Sequence, residues 1–200
     1  MPAKKTLILN KTQILQKSKR IAYQILEDNF EEKNIVLVGI ADRGYVFAQR
    51  LQAILQEIAP DKEIELIKVS IEKNKRSLEA TTDQSVDIAA NKAVIIVDDV
   101  LNSGRTLAYA LGAFINVPLK KMRTAVLIDR SHHIFPIFSD FYGLKLSTIL
   151  KEHVTVCLEE FDNKENDNNE FVDAEYEDMN GGNGSSDGGS NKPPKKKGNG

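Results

Sequence analysis

The chain has 200 residues, 41% of them hydrophobic and 28% charged, with a formal net charge of −2 at pH 7; this suits one domain of ordinary size plus some excess chain. Residues 159–200 hold 11 acidic residues against 5 lysines, a net of −6, which leaves about +4 on residues 1–158. That balance admits an anionic ligand and is too small to argue for nucleic acid. The single cysteine, Cys157, excludes an internal disulfide, and no run has the length of a membrane helix or the pattern of a signal peptide. The expectation is a cytoplasmic protein with no membrane partner.

Taken in chain order, Ile14, Leu15, Ser18, Ile21, Ala22, Ile25 and Leu26 fall on one stripe, which predicts an amphipathic helix over residues 11–28 packed on a sheet. IVLVGI, residues 35–40, is the continuous apolar run of a strand buried on both faces. The Arg43-Gly44 turn leads into a second helix carrying Val46, Phe47, Leu51, Ile54, Leu55 and Ile58, and Pro60 ends it. IELIKV, residues 64–69, alternates as a strand. Residues 70–91 are polar and longer than most connections in a compact domain, which predicts a lid or a disordered segment. A strand at 93–98, a helix at 106–116 and strands at 124–129 and 153–158 complete a βαβ series. The predicted fold is α/β: a mostly parallel twisted sheet flanked by helices, with right-handed crossovers. From Glu159 the chain is acidic and then rich in Gly, Asn and Ser, a composition that buries too little apolar surface to fold alone. One domain over residues 1–161 is therefore expected, followed by a disordered tail over 162–200.

The segment AVIIVDDVLNSGRTLAYAL, residues 93–111, carries the most chemistry. An apolar strand runs into two carboxylates, then a small-residue turn, then a helix. Ligands of open α/β sheets collect beyond the carboxyl ends of such strands. The turn offers backbone N–H groups and a helix N-terminus to a phosphate, while Asp98 and Asp99 are placed to bind hydroxyls. The same residue types also serve as ordinary turn and cap residues. Two rival phosphate motifs, G-x-x-x-x-G-K-[ST] and G-x-G-x-x-G, are absent.

Three blocks, VLVGIADRG (36–44), VIIVDDVLNSGRT (94–106) and AVLIDRSHHIFPI (125–137), resemble the type I phosphoribosyltransferases. Within that family they are most similar to the pyrimidine-operon attenuator proteins that double as uracil phosphoribosyltransferases. The resemblance implies that Asp98 and Asp99 are the catalytic acidic pair on the ribose hydroxyls of phosphoribosyl pyrophosphate. It places the 5′-phosphate on the turn of Asn102, Ser103, Gly104, Arg105 and Thr106, and the pyrophosphate on the loop of Ala41, Asp42, Arg43 and Gly44. Ile128, Asp129, Arg130 and Ser131 would shape the base pocket, where backbone amide and carbonyl groups could read uracil. Mg²⁺ would arrive bound to substrate, with no protein cage for a metal. His132 and His133 are adjacent and point in different directions, with no ligand partners at metal spacing. The expected partners are thus phosphoribosyl pyrophosphate, a pyrimidine base and a second copy of the chain in a homo-oligomer. In related 6-oxopurine enzymes the position of Asn102 is an Asp; an amide cannot accept a proton from a base, which disfavours purines.

Departures from the resemblance fall in three places. Asp42 stands where the subfamily has Thr, and a carboxylate there repels diphosphate unless it points away or reaches a metal. The strand end reads Lys68-Val69-Ser70 instead of Asp-Ile-Thr, and the following stretch lacks the Arg-Asp-Asp of the flexible hood that closes over the reaction; Lys73, Lys75 and Arg76 are the cations present instead. The first helix, Leu15-Gln16-Lys17-Ser18-Lys19-Arg20, keeps Arg20 but has Tyr23 in place of a His, so RNA enters as a partner through the resemblance alone. The alternative function is a sensor of phosphoribosyl pyrophosphate or a nucleotide that regulates RNA or a partner without catalysis.

Overall fold

The computed structural model describes residues 5–73, 78–131, 133–147, 152–156 and 174–178. Strand β1 (Lys5–Leu9) precedes helix α1 (Lys11–Asp28), and Asn10 and Gln13 close a reciprocal capping box between them with two 2.9 Å bonds. Next come β2 (Asn34–Ile40), α2 (Arg43–Ile58), β3 (Glu63–Lys73), β4 (Leu78–Thr82), a 3₁₀ turn over Val86–Ala89, β5 (Ala93–Leu101), α3 (Arg105–Gly112), β6 (Lys121–Asp129) and β7 (Phe141–Lys145). Two short strands, β8 (Glu152–Val156) and β9 (Ala174–Asp178), follow.

Six strands form one sheet in the order β4-β3-β2-β5-β6-β7, parallel throughout except for β4. Side chains alternate across β2 and β5, so each strand feeds two cores. Ile35, Leu37, Ile95 and Val97 pack with Ile14, Ile21 and Ile25 of α1 and Phe47, Leu51 and Leu55 of α2. Val36, Val38, Val94 and Ile96 pack on the other face with Leu107, Ala110 and Phe114. This double burial accounts for the unbroken apolar runs of β2 and β5.

Several expectations need correction. Residues 70–91 are not a structureless lid in their described part: β3 runs on to Lys73 and β4 returns beside it, because Ile71 and Ala80 find apolar contact against the second core. Lys75 and Arg76 lie outside the described residues. Helix α3 stops at Gly112, and i→i+3 bonds from Phe114 and Val117 carry the chain through turns where a helix to 116 was predicted. Leu15, assigned to the buried stripe of α1, is 46% exposed. Strand β8 does not extend the main sheet; β1, β9 and β8 form a separate antiparallel sheet with β9 in the middle. Its central strand lies in the stretch predicted as a disordered tail. Composition reports apolar burial, whereas main-chain bonds to two strand edges hold β9. Cys157 lies outside the described residues.

Candidate active site

The two parallel neighbours β2 and β5 end side by side, and the loops after them make the site. After β2 the chain crosses a cis Ala41–Asp42 peptide and enters α2 at Arg43. The Ala41 N–H donates to the Val69 carbonyl at 2.8 Å, which ties the loop to the end of β3. On its other side the loop rests on β5: a Cβ added to Gly44 would lie 2.8 Å from Asp98 Oδ1 and 3.0 Å from the Val97 carbonyl. Only glycine lets these backbones approach so closely. Ala41, Asp42, Arg43, Gly44, Asp98 and Asp99 line one cleft of about 330 Å³.

Asp98 and Asp99 are half-buried at the end of β5. Asp98 Oδ1 accepts the Asp99 N–H at 3.0 Å, and Asp99 Oδ1 accepts the Val100 N–H at 2.9 Å. Burial, and then the neighbouring Asp99 charge, hold the Asp98 carboxyl well above the usual carboxylate range. Burial raises Asp99 as well, against hydrogen bonds and the opposing charge of Arg43. Two carboxylates that resist joint ionisation make a place where positive charge is stabilised.

The turn after β5 is braced by the segment that follows β6. Gly104 has φ +78°, in the left-handed region, and stands at the N-terminus of α3. The Ser103 carbonyl accepts N–H groups from Ile134 and Phe135 at 2.9 and 3.0 Å, and Ser103 Oγ accepts the Arg105 N–H at 3.3 Å. Arg130 Nη1 donates to Asn102 Oδ1 at 3.0 Å, so the Asn102 amide keeps its NH₂ donors for a ligand. Arg105 and Thr106 are exposed at the first turn of α3.

In the segment expected to form the base pocket, the Ile128, Asp129 and Arg130 side chains are buried. Asp129 accepts the Ser131 N–H at 2.8 Å and the Ser139 Oγ–H at 2.6 Å, and its Oδ1 lies 2.9 Å from His133 Nε2. Its carboxylate is therefore spent inside the protein. His133 is a structural partner of Asp129; His132 lies outside the described residues. Among the described residues no group of three or more His, Cys, Asp or Glu is clustered to hold a metal, and no helix is long and apolar enough to cross a membrane.

Asp42 is resolved by a residue that the sequence reading did not place in the site. Its Oδ1 lies 3.4 Å from Lys68 Nζ on β3. The signal was available in principle, because Lys68 pairs with Gly39 across parallel strands and so sits beside the loop that follows β2.

A mostly parallel sheet with paired carboxylates at the end of one strand and a glycine-opened loop at the end of the next defines the phosphoribosyltransferase architecture. The phosphoribosyl transferase domain model matches residues 6–160, and the chain belongs to that family; it is an enzyme of the phosphoribosyltransferase type. The chain is 36% identical over 172 residues to the bifunctional protein PyrR of Fusobacterium nucleatum, covering 82% of this chain and 97% of that protein. It is 39% identical over 150 residues to its namesake in Streptococcus mutans, covering 74% and 85%. A hypoxanthine-guanine phosphoribosyltransferase from Bacillus anthracis shares the fold, with a TM-score of 0.61 at 22% identity over 70% of this chain and 81% of its own.

Proposed function

We propose that the protein transfers the 5-phosphoribosyl group of phosphoribosyl pyrophosphate to a pyrimidine base, with uracil as the base, and releases pyrophosphate. The bond from the anomeric carbon to the diphosphate oxygen breaks as the bond to the base nitrogen forms, which leaves positive charge on the ribose ring. The carrying observation is the half-buried Asp98–Asp99 pair facing the loop opened by Gly44. Its carboxylates orient the ribose hydroxyls and favour the charge developing on the ring. The 102–106 turn receives the 5′-phosphate on N–H groups at the start of α3, and the 41–44 loop with Arg43 receives the diphosphate. Asn102 donates hydrogen bonds and takes no proton, which favours a pyrimidine. The donor set fits Mg²⁺: two carboxylates that resist joint ionisation stand at a diphosphate loop, and Asp98 and Asp99 would hold the ion through the ribose hydroxyls or water. When bound, Mg²⁺ neutralises the departing diphosphate. The protein acts in the cytoplasm as a homo-oligomer.

A second reading, regulation of RNA by a sensor of the same ligand, draws on α1. Gln13, Gln16, Lys17 and Arg20 line a second cleft of about 290 Å³. Arg20 Nη2 donates to the Tyr142 and Gly143 carbonyls at 2.8 and 2.7 Å, and Lys17 Nζ to Gly143 at 3.1 Å. Two cations converging on one β7 carbonyl suit a phosphate. Calorimetric titration with phosphoribosyl pyrophosphate and Mg²⁺, followed by pyrophosphate release across a panel of bases, decides between the readings. Release with uracil is expected for the enzyme. Binding without release with any base would establish the sensor instead.

A further inference from the structure

Asp42 brings a third carboxylate to a cleft that already holds two and is read here as taking a diphosphate. Its side chain is 62% exposed and makes no capping bond to α2, although it stands at the N-cap. It turns to Lys68, whose ammonium is 3.4 Å away. Lys68 is held in place at several points. Its N–H donates to Asp83 Oδ1 at 2.8 Å, its carbonyl accepts the Asp83 N–H at 3.1 Å, and its Nζ lies 5.5 Å from the centre of the Tyr45 ring. The next residue, Val69, accepts the Ala41 N–H of the same loop. Backbone bonds thus fix both partners of the ion pair to one platform. They are also two positions at which the sequence departs from the resemblance, one gaining a negative charge and the other a positive one.

We propose that Lys68 is a positioning residue for the diphosphate end of the ligand: it draws the Asp42 carboxylate off the leaving-group site and cancels its charge there. An isolated surface ion pair contributes little to stability. The same charge set beside a polyanionic ligand acts on binding, because a like charge at close range repels a diphosphate that carries several. Loss of Lys68 leaves Asp42 to repel diphosphate, while loss of both charges restores the balance. The sensitivity is confined to ligands that carry diphosphate.

The proposal rests on the function proposed above, and its test separates the two. Phosphoribosyl pyrophosphate, inorganic pyrophosphate and ribose 5-phosphate are titrated with Mg²⁺ into wild type, Lys68→Gln, Lys68→Arg and the Lys68→Gln/Asp42→Thr double variant, with circular dichroism as the folding control. Lys68→Gln should weaken the two diphosphate ligands about tenfold, a shift of roughly 1.4 kcal/mol, and leave ribose 5-phosphate unchanged. The double variant and Lys68→Arg should bind like wild type. Equal binding of diphosphate ligands by Lys68→Gln, an equal loss for ribose 5-phosphate, or failure of Asp42→Thr to rescue would overturn the proposal alone. Wild type that binds neither phosphoribosyl pyrophosphate nor ribose 5-phosphate overturns the proposed function and this proposal with it. If Lys68→Gln does not fold, Asp42→Thr alone should bind diphosphate at least as tightly as wild type, and weaker binding would overturn the proposal.

Discussion

Strands β5 and β6 lie side by side, and each carries acid near its end, half-buried on β5 and fully buried on β6. On β6, Asp129 is 1% exposed and every one of its contacts is supplied from within the fold. Burial pushes its carboxyl up, but bonds from Ser139, the Ser131 N–H and His133 outweigh that and hold it below the ordinary value. On β5, Asp98 and Asp99 are bonded mainly to their own backbone neighbours, and their protons are held more tightly than usual. Acid of one chemical type is thus a structural anchor at one strand end and the lining of an open cleft at the next. What separates them is how much of each carboxylate's hydrogen bonding comes from the surrounding fold.

The sharpest way to break this contrast is to remove each acid in turn. Asp129→Ala leaves the Ser131 N–H, Ser139 and His133 without their acceptor and should cost about 1 to 3 kcal/mol of folding stability, read by urea denaturation. Asp98→Asn with Asp99→Asn should do the reverse. Folding stability should stay within about 1 kcal/mol of wild type or rise, because a repelling pair is relieved, while affinity for phosphoribosyl pyrophosphate falls by roughly 1 to 3 kcal/mol per lost hydrogen bond. A large stability loss in that double variant would show that the pair is an anchor like Asp129.

Titration sharpens the same comparison. The raised carboxyls of the β5 pair contribute stability below the ordinary value of 3.8, and that contribution is lost as pH rises through their folded-state values. The Asp98→Asn/Asp99→Asn variant should therefore gain on wild type as pH rises above 3.8. Asp129 behaves oppositely: its stabilisation is present above 3.8 and is lost as pH falls through its depressed value. Asp129→Asn should thus converge on wild type in acid. Melting curves of the three proteins across a pH series check both signs.

Gly44→Ala tests the close approach that joins the pair to the loop. The added methyl meets Asp98 Oδ1 at 2.8 Å, and displacing it should cost about 1 to 3 kcal/mol in melting experiments and weaken diphosphate binding too. The smallest global effect is expected from truncation after Asp162. It removes β9, so amide exchange in Lys5–Leu9 should lose its protection while the six-stranded sheet keeps its own.

Elements with a fully apolar run or a clean apolar stripe were the legible part of the fold, because β2, β5 and α2 write their environment directly in side-chain pattern. Strands held by an edge were not: β1, β7 and β9 are five residues each and take their stability from main-chain ladders that no side-chain pattern records. In the site, Arg43 and Gly44 are neighbours at the start of α2 and Asp98 and Asp99 are neighbours in β5, each pair within a recognisable block, and the structure brings all four to one cleft. Lys68 was missed as their neighbour because its meeting with Asp42 depends on which strands are adjacent, a property of the sheet order and not of local spacing. The inward turn of Asp129 was hidden for a similar reason, since Ser139 reaches it only after the chain has looped back.

The pairing of β1 with β9 also sets an order of events during synthesis. Lys5–Leu9 is made before the six strands of the main sheet, yet its partner strand spans Ala174–Asp178. The six strands of the main sheet end at Lys145, so that sheet can close on the ribosome while the first strand still waits. Residues 5–9 therefore precede the main sheet in the chain and complete their pairing only after it.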